Sequence, residues 1–61
     1  MATTDLYDVY MVLVSGEDIW WQGLATDGGD AVSKAFDYAR DDYKQEVKSY
    51  EVRLSEANNG A

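Results

Sequence analysis

The stretch Leu13-Val14-Ser15-Gly16-Glu17-Asp18-Ile19-Trp20-Trp21 (LVSGEDIWW) decides the fold, because it turns one strand into the next and fixes which side chains share a face. Upstream of it, Leu6 to Val14 is nearly all apolar and rich in β-branched and aromatic residues. That composition suits a central strand covered on both faces. Ser15-Gly16-Glu17-Asp18 reads as a turn, with Gly16 at the first central position of a two-residue type II′ loop. Ile19 to Ala25 is then a second strand.

The adjacent tryptophans point to opposite faces of that strand. Ile19, Trp21, Gly23 and Ala25 share a side without a polar group, and their small members would let a helix approach closely. Trp21 is therefore expected beneath a helix, and Trp20 on an open face. A two-residue loop pairs Leu13 with Trp20 and Val12 with Trp21, which puts Tyr7, Val9, Met11 and Leu13 on the open face too. An odd loop or a bulge would instead leave Asp8, Tyr10, Val12 and Val14 beside Trp20. In both registers an aromatic–aliphatic patch stays exposed, and such patches mark contact surfaces.

Downstream, "ATDGGDAV" marks a strand-to-helix junction, with Asp27 as N-cap and Asp30 in the favourable first turn. From about Gly29 to Tyr43, Val32, Ala35, Phe36, Ala39 and Tyr43 recur on one helical face. Glu46 to Leu54 alternates again, Tyr50, Val52 and Leu54 facing one way and Ser49, Glu51 and Arg53 the other. The expected fold is α+β, β-β-α-β. Its three-stranded antiparallel sheet has the order 2-1-3, and one helix packs on one face. The whole chain, 1-61, reads as a single small domain with an ordered core over about 6-54 and a fraying tail, "SEANNGA", over 55-61.

A 61-residue chain buries only about 60% of its unfolded surface. Cysteine and histidine are both absent, so disulfides, ordinary zinc sites, thiolate nucleophiles and Ser-His catalysis are unavailable. No pair of carboxylates stands out for acid/base work, and "TDGGD" is too short for a calcium loop. It also lacks the lysine of a phosphate cradle. The expectation is a non-enzymatic protein with no cofactor.

Twelve acidic residues against five basic ones give a net charge of -7. This argues against nucleic acid or anionic membrane as direct ligands, and suits steering onto a basic surface. No apolar run reaches the ~18–20 residues that span a bilayer, and no basic leader is visible, so a cytoplasmic setting is expected. On the helix, Asp30 supports Lys34. Asp37 and Asp41 are like charges one turn apart, and Asp41 with Asp42 lies near the negative end of the helix dipole. Arg40 and Lys44 offset part of that repulsion.

The element order, the size, the acidity and the rhythm Ala25, Ala31-Val32, Ala35 within "LATDGGDAVSKAF" resemble the small early inhibitor of host RNA polymerase made by podophages. The resemblance covers roughly Tyr7 to Leu54, and this chain differs in its double glycine, its lack of proline and its greater acidity. The N-terminal part of the partial double-stranded-RNA-binding-like antitoxins is also similar, without their middle segment.

The first resemblance implies binding to basic residues of the polymerase jaw and DNA channel. It points to Glu17 and Asp18 in the hairpin and to Asp30, Asp37 and Asp41 on the helix. Trp20 joins them as the contact residue of the open face. The expected partner is thus a basic surface of a host protein, RNA polymerase first, in the host cytoplasm if the chain is phage-encoded. The alternatives are a DNA mimic aimed at a nuclease or CRISPR complex, and a homodimer formed through the open sheet face.

Overall fold

The computed structural model describes residues 3–56. It comprises β1 (Asp5–Leu13), β2 (Asp18–Ala25), α1 (Gly28–Tyr38), a π-helical turn (Ala39–Tyr43) and β3 (Val47–Leu54). The strands form one sheet in the order β2-β1-β3, antiparallel at both junctions. The fold is α+β, as expected, with β1 central: it supplies the largest fully buried side chains, Met11, Leu13 and Val9.

The hairpin differs from the expected one by a loop residue, and the difference turns β1 over. Gly16 N–H donates to the Leu13 carbonyl (2.8 Å) and Leu13 N–H to the Glu17 carbonyl (2.9 Å). Val14-Ser15-Gly16 is therefore a three-residue loop, with Gly16 as a left-handed bulge at φ 93°. Open space surrounds the position where its Cβ would stand, so the backbone angle alone requires glycine. The odd loop pairs Tyr10 with Trp20 and Val9 with Trp21. Tyr7, Val9, Met11 and Leu13 thus lie beneath the helix, not on the open face; Leu6, Asp8, Tyr10 and Val12 lie beside Trp20.

Burial explains which register wins. The row Val9-Met11-Leu13 is wholly apolar, whereas the alternate row contains Asp8, whose carboxylate could not be buried under a helix without a partner. Hydrophobic patterning overrides the local turn preference.

The helix starts where the capping residues place it. Asp27 is the N-cap and accepts from Asp30 N–H at 2.8 Å. Asp30 reaches back to Thr26 N–H at 3.0 Å. Ala31, Ala35 and Ala39 form a fully buried row on Val9, Met11, Leu13, Ile19 and Ala25. Val32, Phe36 and Tyr43, expected at the centre of the buried face, flank that row half-buried. The alanines let the helix backbone come close, and the sheet supplies the volume.

Trp21 packs against this core as expected, but Gly23 serves the indole and not the helix. A Cβ on Gly23 would lie 2.5 Å from Trp21 Cζ2, so the ring occupies the space that glycine leaves vacant. A Cβ on Gly28 would meet Val52 Cγ1 at 3.8 Å, an ordinary contact, so the start of the helix lies near β3 without requiring glycine there.

The helix widens at its end into the π turn. There Tyr38 and Tyr43 meet edge to face at 5.7 Å. Residues five apart would stand about 140° apart on an α-helix, so only a wider turn brings these rings together. Lys44, at φ 58° and ψ 33°, ends the turn by donating its N–H to the Arg40 carbonyl. Ser55, assigned to the tail from sequence, is buried and donates its N–H to the Leu6 carbonyl at 2.9 Å. The expected fraying beyond it, from residue 57, lies outside the described residues.

Candidate functional site

The hairpin loop, the π turn and the segment before β3 converge at one end of the molecule. Val14 N–H donates to the Glu46 carbonyl at 3.1 Å, and Ser15 N–H to Gln45 Oε1 at 3.2 Å. Tyr43 registers what these segments carry. Its hydroxyl is held above the ordinary tyrosine value, first by a hydrogen bond with Tyr38 and by that group's charge. Loss of solvent and the negative charges of Glu17 and Asp42 add to the shift.

Glu17, Asp18, Asp41, Asp42 and Glu46 make no ion pair with a described cation; the three pairs among the described residues are Asp30–Lys34, Asp37–Arg40 and Glu51–Arg53. This end is therefore net anionic, with Arg40 and Lys44 of the π turn offsetting part of the charge. Of the sequence candidates, Glu17 and Asp18 stand at the hairpin end of β2 and Asp41 on the π turn; Glu17 is the one whose charge acts on Tyr43. Asp42 and Glu46 join them through contacts between segments far apart in the chain, for which the sequence carries no local signal.

Asp30 and Asp37 belong elsewhere. Asp30 lies eleven residues before Asp41, on the order of 15 Å along the helix. Its carboxylate accepts from Thr26 N–H and Oγ1 and pairs with Lys34 at 3.3 Å. The Thr26 backbone bond, followed by Lys34, lowers its pKa. Asp30 serves the cap. Asp37 is paired with Arg40 on the exposed side of the helix.

Trp20 lies on the opposite side of the sheet, as its parity requires. Its ring stacks on Tyr10 with centroids 6.3 Å apart and planes 24° apart. The two remain 54% and 44% exposed. The Arg53 guanidinium sits 5.4 Å from the Tyr10 centroid, a cation–π distance, and is held there by Glu51. Gln22 bonds Asp8 at 2.8 Å, so a polar band interrupts the apolar surface toward Leu24. Tyr10 and Arg53 were not among the sequence candidates; the odd hairpin loop and the register of β3 bring them to Trp20. A shallow trough of about 500 Å³ runs along Tyr10, Val12, Asp18, Trp20, Ser49 and Glu51.

No group of three or more metal-ligating side chains occurs among the described residues. No helix among them is long and apolar enough to cross a membrane.

Fold and surfaces together define a small α+β domain with an anionic end and an aromatic open face. The chain matches no family model, and no curated protein and no solved structure is significantly similar to it.

Proposed function

We propose that this is a non-enzymatic binding protein whose anionic end docks on the basic, nucleic-acid-binding surface of another protein and blocks it. Bacterial RNA polymerase is the first candidate, in line with the resemblance of element order and acidity. One observation carries the reading: Glu17, Asp18, Asp41, Asp42 and Glu46 come from three segments to one end, and none of them forms an ion pair with a described cation, although Arg40 and Lys44 of the π turn offset part of their charge. Carboxylates grouped in this way steer a protein toward a cationic cleft, and that attraction is strongly screened by salt. A DNA-mimicking role against a nuclease uses the same surface.

The test is direct titration of purified polymerase at low and high salt. Binding should fall steeply as salt rises, and Glu17→Lys with Asp41→Lys should weaken it at least tenfold while the fold survives. Binding indifferent to salt and to both reversals would remove the polymerase and DNA-mimic readings together. The stacked, exposed Trp20 and Tyr10 with Arg53 favour a second reading, in which the open face makes the contact, since these are the residue types that dominate interface energetics. In that case Trp20→Ala, and not the charge reversal, abolishes binding.

A further inference from the structure

The two outer strands of the sheet end differently. In an antiparallel ladder alternate residues bond inward, and those between them turn their N–H and C=O groups outward. Leu13 N–H bonds Glu17, so Asp18, Trp20, Gln22 and Leu24 carry the outward groups of β2. The Leu24 carbonyl there is already occupied by Lys34 Nζ at 2.9 Å. On β3, Ser55 N–H bonds Leu6, so Ser49, Glu51 and Arg53 bond inward to β1. Tyr50, Val52 and Leu54 turn their backbone groups outward, and no described side chain reaches them. This edge is eight residues long, with Tyr50 and Leu54 53% and 50% exposed. An edge of this kind is a template for another strand.

The side chains say which strand fits. Lys48-Ser49-Tyr50-Glu51-Val52-Arg53-Leu54-Ser55-Glu56 reverses its charges about Val52. We propose that β3 pairs antiparallel with β3 of a second copy of this chain, around a two-fold axis at Val52, joining two sheets into one of six strands. In that register Glu51 faces Arg53 of the second copy and Arg53 faces its Glu51. Both pairs are opposite in charge, the arrangement that stabilises cross-strand neighbours.

On the helix side Tyr50 faces Leu54 of the second copy, next to the edge-to-face contact of Tyr50 with Phe36 at 5.3 Å. Sliding by two residues either way keeps the same faces but sets Glu51 against Glu51 or Arg53 against Arg53. The charge pattern thus specifies one register. The outward backbone parity agrees with it, because Val52 on the axis is one of the residues whose N–H and C=O are free.

Sedimentation equilibrium on the full chain and four variants tests this, with circular dichroism to follow the fold. The native chain should dimerise by high micromolar concentration. Glu51→Arg alone and Arg53→Glu alone place like charges across both pairs, and each should weaken dimerisation by about tenfold or more. An equimolar mixture of the two should associate as a heterodimer, which chains that had merely unfolded could not do. The double exchange E51R/R53E should restore the homodimer, and Trp20→Ala should leave it unchanged. A native chain monomeric into the millimolar range would overturn the proposal. So would single variants that associate as tightly as the native chain, a mixture without recovery, or a dimer lost on Trp20→Ala.

Discussion

The two faces of this sheet are built from the same three strands, yet they solve opposite problems. On the helix side Val9, Met11 and Leu13 are sealed by a row of alanines, and stability comes from close packing of small against large. On the open side Trp20, Tyr10, Arg53 and Glu51 hold one another across strands while staying in contact with water. One loop residue separates the two outcomes for β1. The loop length follows the pattern of the strand, because Asp8 cannot be buried under the helix without a partner.

Met11→Asp is the strongest way to break that difference. Met11 is 1% exposed on the helix side, so the new carboxylate would be buried without a partner, and cooperative unfolding in urea should disappear. Leu13→Ala removes a fully buried side chain and should cost about 2–5 kcal/mol in the same measurement. Tyr10→Ala on the open face should cost clearly less. Ala35→Leu adds volume where the helix lies closest, and should cost about 1–3 kcal/mol. Gly16→Ala forces a side chain into the left-handed region and should cost about 1–2 kcal/mol. Lys44→Gly relieves the other left-handed residue and should raise stability by up to about 1 kcal/mol.

The cap adds a dependence on pH. The carboxyl of Asp30 is lowered in the folded chain by Thr26 and Lys34, so its contribution is present above the ordinary aspartate range and is lost as pH falls through the folded value. Asp30→Asn should flatten that part of the acid limb of a stability–pH curve.

Much of the fold was legible because local residues carry it. The apolar length of β1, the Asp27 cap, the alternation of β3 and the parity of Trp20 and Trp21 each follow from neighbours in the chain. The facing of β1 was not, since Gly16 suits both a type II′ position and a left-handed bulge; only the cost of burying Asp8 separates them. Of the expected helix face Ala35 and Ala39 are buried, but Ala31 takes the place of Val32, because close approach to the sheet favours the smaller side chain over the more hydrophobic one. The π turn depends on the meeting of Tyr38 and Tyr43, which α-helical periodicity does not anticipate. At the anionic end, Glu17 and Asp41 were visible as charges, but their grouping with Glu46 exists only once the hairpin loop has bonded to the segment before β3.

Separating the two indoles gives the molecule two optical reporters without any label. Trp21, packed over Gly23 beneath the helix, emits from an environment that vanishes only on unfolding. Trp20, stacked in the open, is accessible to a neutral collisional quencher such as acrylamide and changes when something settles on that face. Steady-state emission in Trp20→Phe and Trp21→Phe chains would thus follow folding and surface occupancy as two independent signals from one small protein.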